Sequence, residues 1–150
     1  MTTVILETKH LTKNKLTIGR LLGIKITDSL QLVRVIERGL SFEAIERVSR
    51  ETSLPIEQLA GSIGISPRTL TRRRKERRLT ISESDRLVSL SRLLAQAVDL
   101  FEGNRDKAFG WFVSSNRALG GLSPLKMAAT ETGAREVESL IGRLEHGVFS

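Results

Sequence analysis

The segment from residue 54 to residue 78 constrains the fold more than any other part of the sequence. Pro55 predicts a helix start, because proline in the first turn loses no hydrogen bond, and Gly64 predicts the end of that helix. Ser66 is a strong N-cap and Pro67 a strong first helical residue, so a second helix is predicted from Pro67 to about residue 77. The apolar anchors of this pair are Leu59, Ala60, Ile63, Ile65 and Leu70. A helix, a glycine turn and a capped second helix form the helix-turn-helix arrangement of DNA-binding proteins.

Nearly all of the excess positive charge of the chain lies in the second of these helices. The 150 residues carry a formal net charge of +7. Residues 67–78 contain seven basic side chains and one acidic side chain, a net charge of +6. A solvated helix face normally mixes charges of both signs, whereas a local basic patch is typical of an element that binds phosphate.

Leu70 sets the predicted orientation of the basic helix. With Leu70 facing inward, we expect residues 68, 69, 72 and 73 to point away from it. Arg68 and Arg72 are predicted to reach base edges, where arginine pairs with guanine. Thr69 is predicted to contact a thymine methyl group or a phosphate. The remaining basic residues are predicted to contact phosphates, and the lack of an interleaved aromatic residue favours DNA over RNA. The candidate DNA-binding residues are Arg68, Thr69, Arg72, Arg73, Arg74, Lys75, Arg77 and Arg78.

Helical patterns continue on both sides of this motif. Helices are predicted from Ser29 to Gly39 and from Ser41 onward. A long helix is predicted from Ser82 to about Glu102, and its broad apolar stripe indicates burial on two sides. A shorter helix is predicted around Phe109, Trp111 and Phe112, and a last one over about 133–146.

We therefore predict an all-α protein: a helix-turn-helix DNA-binding module followed by a small helical module. Residues 1–28 are expected to form a partly ordered arm with a short helix near residues 20–22. Residues 29–81 are expected to form the helix-turn-helix domain. Residues 82–150 are expected to comprise the long connecting helix and the C-terminal module.

Several kinds of site lack their usual residues in this sequence. The absence of cysteine excludes disulfides, thiolate metal sites and cysteine nucleophiles. His10 and His146 have no neighbouring ligands in a metal-binding spacing, and Gly120-Gly121 lies in no phosphate-binding motif. No apolar run is long enough for a signal peptide or a membrane span. We expect no metal, no cofactor, no enzymatic activity, no membrane partner and a cytoplasmic location.

Several separated motifs occur in order along the chain. They are residues 64–78, 83–87 and 108–111, Asn116, residues 118–121, Ser123-Pro124 and the ending at Gly147. These motifs resemble those of the Xre-type antitoxins of RES–Xre toxin–antitoxin pairs. The second half of the chain resembles the Xre/MbcA/ParS toxin-binding domain, and the resemblance covers roughly residues 29–150.

The resemblance implies a homodimer that binds double-stranded operator DNA and represses its own promoter. It also implies that the C-terminal module binds and neutralises a RES-domain toxin that degrades NAD⁺, in a higher-order complex. The toxin-binding residues implied are Gly147, Val148, Phe149 and Ser150, with Phe149 at a position where tyrosine is common. The alternative is a stand-alone helix-turn-helix transcriptional regulator whose C-terminal module dimerises or binds a ligand.

Overall fold

The computed structural model describes residues 15–147, and this part of the chain consists mainly of helices joined by short turns and loops. Within it there is no β-strand, and Ser41 and Arg78 form one isolated antiparallel bridge. The prediction of an all-α protein is confirmed. The helices are α1 (Ile18–Leu22), α2 (Ser29–Arg38), α3 (Glu43–Thr52), α4 (Ile56–Ser62), α5 (Pro67–Glu76), α6 (Ile81–Leu100), α7 (Arg105–Val113), α8 (Pro124–Met127) and α9 (Glu131–Glu145), with a 3-10 turn at Arg117–Leu119.

Side-chain caps determine where most of these helices begin. The side chains of Asp28, Ser66, Asn104 and Thr130 each accept a hydrogen bond from a backbone N–H in the first turn of the helix that follows. Helix α6 begins at Ile81, one residue before the predicted start. Thr80 accepts from the N–H of Glu83 while the Glu83 carboxylate accepts from the N–H of Thr80, a reciprocal capping box.

Helix α6 is the central element of the fold, as its broad apolar stripe predicted. It packs against α1 and α2 from the first part of the chain and against α7 and α9 from the last part. Leu87, Leu94 and Ala97 are completely buried in it. A single hydrophobic cluster extends from Leu16 to Ile141, so the two predicted modules share one core.

The segment before α2 contributes to that core, which the sequence did not predict. Leu16, Leu21 and Leu22 are buried, and α1 packs against α3 and α6. Thr17 caps α1, and Gly23 ends it with a left-handed backbone. Five helical residues are too few to show a helical period, so this stretch looked like part of an arm. Residues 1–14 of the predicted arm lie outside the described residues.

The junction between α8 and α9 is closely packed. Ser123 caps a short helix that begins at Pro124. The first turn of α9 then lies against the end of α8. A Cβ atom added to Gly133 would overlap the carbonyl oxygen of Met127. Glycine at this position therefore permits a backbone approach that any other residue would prevent.

Two glycines of α9 provide a matched test of this junction. Gly133→Ala is expected to destabilise the fold by about 1–3 kcal/mol, because the backbone of α8 must move. Gly142→Ala meets no atom within 4 Å and is expected to stabilise α9 by up to ~1 kcal/mol, since alanine favours the helix. Urea unfolding of both variants measures the two effects. Equal changes in the two midpoints would contradict the close approach at Gly133.

Candidate nucleic-acid interface

The predicted helix-turn-helix is formed by α4, a four-residue turn and α5. Gly64 adopts a φ of 80°, and a Cβ there would also meet the guanidinium group of Arg86. Ile65 is buried, and its N–H donates to the carbonyl of Ala60 at 2.8 Å. Ser66 then caps α5, accepting from the N–H of Thr69 at 3.2 Å. With Leu70 also buried, the turn and the inner face of α5 have the packing that the sequence indicated.

Three cationic side chains form a stripe along the outer face of α5. Arg68, Arg72 and Lys75 follow the i, i+4, i+7 spacing of one helix face, opposite the buried Leu70, and all three are exposed. In the part of the chain that the structure describes, Arg68 and Lys75 have no ion-pair or hydrogen-bond partner. Arg72 has only a long contact, with its Nε 3.9 Å from Glu76 Oε1. We call these three residues the outer stripe.

Thr69 lies at the edge of the outer stripe and is half-buried. Its Oγ1 accepts a hydrogen bond from Ser66 Oγ at 3.0 Å, so its hydroxyl is part of the cap. The threonine is therefore only partly accessible, in the first turn of α5.

Arg73 points inward, and the expectation that it points away from Leu70 is wrong. Its side chain is 12% exposed, with Nε 2.7 Å from Glu83 Oε1 and Nη1 3.2 Å from Glu76 Oε2. Residues i and i+3 share a helix face, so residue 73 lies on the same side of α5 as Leu70. Arg73 therefore connects α5 to the first turn of α6.

Glu83 completes this connection by accepting hydrogen bonds from two donors. Its Oε1 accepts from Arg73 Nε at 2.7 Å and from the N–H of Thr80 at 2.9 Å. Burial raises the pKa of Glu83, but the hydrogen bonds from Arg73 and Thr80 outweigh it, so the pKa lies below its ordinary value. The same hydrogen bond raises the pKa of Arg73. Both groups are therefore charged at neutral pH.

The other basic residues of the patch have partners near the end of α5. The Arg74 guanidinium lies 5.5 Å from the ring centroid of the buried Phe42, within cation–π range. Arg77 ends the helix with a φ of 62°, and its exposed Nη2 is 3.5 Å from Glu43 Oε1. Arg74 and Arg77 keep exposed surface and can still reach a phosphate.

Arg78 has a structural role that the sequence did not reveal. Its Nη1 donates to the carbonyl oxygens of Arg38 and Gly39, both at 3.0 Å, and so caps the C-terminal end of α2. The N–H of Leu79 also donates to the carbonyl of Leu40 at 2.9 Å. The end of the basic segment is therefore fastened to the loop after α2. A run of arginines in the sequence carries no signal for this long-range contact.

The predicted toxin-binding residues lie at and beyond the end of α9. Gly147 is exposed and has a φ of 67°, so the chain leaves the helix axis there. Val148, Phe149 and Ser150 lie outside the described residues.

Neither a metal site nor a membrane-spanning segment is found among residues 15–147. No group of three or more acidic, histidine or cysteine side chains is placed to hold a metal ion in this range. None of the helices in this range has the length and apolar character that a membrane span needs.

Two family models match the chain, and they meet inside α6. Residues 31–92 match the antitoxin Xre-like helix-turn-helix domain. Residues 96–147 match the antitoxin Xre/MbcA/ParS C-terminal toxin-binding domain. Fold and site thus define a helix-turn-helix protein that carries a toxin-binding domain.

Three relatives narrow this class of protein to one family. Antitoxin Xre of Yersinia enterocolitica is 42% identical over 132 residues, which are 87% of this chain and 89% of the relative. Antitoxin Xre of Photorhabdus laumondii is 33% identical with the same coverage, and that of Pseudomonas putida is 29% identical over 126 residues, 82% of this chain and 70% of the relative. The chain belongs to the Xre family of antitoxins, so the resemblance noted in the sequence is confirmed.

The ion pair between Arg73 and Glu83 predicts a specific pH dependence of stability. A carboxylate with a lowered pKa in the folded state stabilises the fold above its unfolded pKa, and this contribution is lost as the pH falls through the folded pKa. The free energy of unfolding is therefore expected to decrease as the pH is lowered past about 4, where carboxylates become protonated.

Glu83→Gln should flatten this acid dependence, because the amide does not titrate. Glu131→Gln is the control, since Glu131 forms an exposed i,i+4 pair with Arg135 and should leave the slope unchanged. Urea unfolding at several pH values between about 3 and 7 measures how the free energy of unfolding of each variant depends on pH. This range spans the ordinary carboxylate pKa of about 4. Parallel curves of the free energy of unfolding against pH for wild type and Glu83→Gln would show that the pair contributes nothing to the pH dependence of stability.

Proposed function

We propose that this antitoxin neutralises a RES-domain toxin that degrades NAD⁺ and binds operator DNA to repress its own promoter. It acts as a cytoplasmic homodimer without cofactor or enzymatic activity, and joins the toxin in a higher-order complex. The observation that carries the DNA-binding half of the proposal is the outer stripe, which leaves three cations exposed on the second helix of a helix-turn-helix. The toxin-binding half is supported by the domain match over residues 96–147.

The position of each cation along α5 suggests its role on DNA. The N-terminal part of a recognition helix enters the major groove, and Arg68, Thr69 and Arg72 lie in the first two turns of α5. Arg68 and Arg72 are long enough to pair with guanine at base edges. Lys75 lies a turn further on, where a phosphate contact would position the protein without reading sequence.

The contacts of the other cations limit what they can contribute. Arg73 is held by Glu83 and Glu76, so we remove it from the set of direct DNA contacts. Arg74, Arg77 and Arg78 are exposed and remain candidates for phosphate contacts at the other end of the helix. A dimer would present two such helices to two half-sites about one helical turn (~34 Å) apart.

The RES identity of the toxin follows from the resemblance of the sequence motifs. We assign the toxin contact to Gly147, Val148, Phe149 and Ser150, as the resemblance to the Xre-type antitoxins implies. The stand-alone regulator stays the alternative, but the toxin-binding domain match favours the antitoxin.

Substitutions in the outer stripe should separate base reading from phosphate binding. Arg68→Ala and Arg72→Ala are expected to relax base preference, since a bidentate arginine–guanine contact contributes roughly 1–3 kcal/mol of discrimination. Lys75→Ala is the control: it should weaken binding to all sequences alike and reduce the salt dependence by about one unit of log K per log salt. Selection from randomised DNA measures the preference. Unchanged preference in both arginine variants would show that the outer stripe does not read bases.

Removal of the last four residues should separate toxin neutralisation from DNA binding. The core contacts of α9 end at Leu144, so deleting Gly147–Ser150 is expected to leave the melting temperature and promoter binding nearly unchanged. The affinity for the toxin is expected to fall about ten- to a hundredfold, because burial of a phenylalanine contributes roughly 1.5–3 kcal/mol.

The test is co-expression with the neighbouring toxin, with Phe149→Ala and Phe149→Tyr as a matched pair. The tyrosine keeps the ring and should protect cells, whereas the alanine should not. Cells fully protected by the truncated chain would exclude a role for the tail.

A further inference from the structure

Helix α2 has an apolar side that the rest of the described chain leaves open. None of its ten residues is buried, although five of them are leucine, isoleucine or valine. Leu30 and Val33, spaced by one helical turn, are 58% and 48% exposed. Ile81, the first residue of α6, is 57% exposed. Among residues 15–147 these are three of the five large apolar side chains that are most exposed.

A groove continues this apolar side toward the toxin-binding domain. It runs between α2, the first half of α6 and the start of α9, and Val33 and Ser82 both line it. Leu32 and Ile36 of α2 form its apolar floor together with Val88 and Leu93. We call Leu30, Val33 and this groove the α2 face.

The charges around the α2 face are balanced in sign. Asp85 and Glu131 line the groove together with Arg86 and Arg92. Balanced charges do not suit DNA, which needs an excess of cations. A surface that carries both signs around an apolar centre can complement itself, because a two-fold axis sets each residue i of one copy against residue j of the other. An apolar centre with a polar rim is also the usual anatomy of a protein interface.

The α2 face is also rigidly connected to the DNA-binding helix. Arg78 holds the carbonyl oxygens of Arg38 and Gly39 at the end of α2, two residues after α5 ends. A partner bound on α2 would therefore fix the position of α5 relative to itself. Two half-sites on a duplex require such a fixed spacing between two recognition helices.

We propose that the α2 face is the two-fold interface through which a second copy of this chain binds. The proposal rests on the dimer of the proposed function and assigns it a surface. Leu30 and Val33 of each copy pack near the axis, and the groove of each copy receives the edge of the other. The interface also touches the start of α9, so it joins both family domains of one copy to the other.

The experiment measures the mass of the full chain in solution by light scattering after gel filtration. Wild type is expected at twice the mass of one chain. Val33→Glu and Leu30→Glu should give monomers, with a dimer affinity reduced about a hundredfold or more, because each brings like charges together across the axis. Leu122→Glu is the control, since Leu122 is similarly exposed (45%) but lies in the toxin-binding domain away from α2.

The possible outcomes distinguish a failure of the proposed interface from a failure of the proposed dimer. Because both side chains are about half exposed within one chain, the variants should still fold, and a cooperative thermal melt checks this. Monomeric Val33→Glu and Leu30→Glu with a dimeric control support the proposal. Dimers in all variants overturn the α2 face and leave the dimer standing, whereas a monomeric wild type overturns the dimer. Dimeric variants that no longer co-purify with the toxin would show that the toxin occupies this face, which also overturns the proposal.

Discussion

The ion pair between Arg73 and Glu83 determines how the DNA-binding helix is held. It joins the last turn of α5 to the capping box that starts α6, and the 2.7 Å contact is largely shielded from water. Removing one member of such a pair leaves a charge without its partner, which is costly, whereas the intact pair adds little net stability relative to apolar side chains of similar volume. Its main effect is therefore geometric. The direction of the outer stripe is fixed relative to the longest helix of the protein.

Helix α6, the longest helix, also packs against the rest of the chain. Leu87 and Leu94 of α6 lie in the same hydrophobic cluster as Phe112 of α7 and Ile141 of α9. The two family domains meet within α6, between residues 92 and 96. A second link is the ion pair of Glu51 in α3 with Arg105 in α7, at 3.2 Å. The domains that sequence comparison distinguishes are therefore one packed body in the structure.

Local signals in the sequence were sufficient to predict the helix-turn-helix. Gly64, Ser66, Pro67 and Leu70 each act within one or two helical turns, so their roles can be read from neighbouring residues. The broad stripe of α6 likewise predicted a helix buried on several sides. The toxin-binding assignment depended on a resemblance of motifs, since no chemical group in residues 96–147 indicates it.

Long-range pairing was what the sequence did not reveal. Arg73, Arg74 and Arg78 look equivalent in a basic run, but their partners are Glu83, a ring at residue 42 and carbonyls at residues 38 and 39. Only the inward position of Arg73 was deducible, because it lies three residues after the buried Leu70. The short helix α1 was predicted near residues 20–22, but its contribution to the core was not, because its core contacts come from the fold and not from a period.

The shared core has a consequence for how the protein is removed from the cell. We expect a small body with one hydrophobic cluster to unfold as a single cooperative unit. Within residues 15–147, no extended linker separates the two family domains at which a protease could cut and leave one domain intact. Degradation through the unfolded state therefore eliminates both domains together. On the proposed function, the promoter and the toxin would be released by one and the same event.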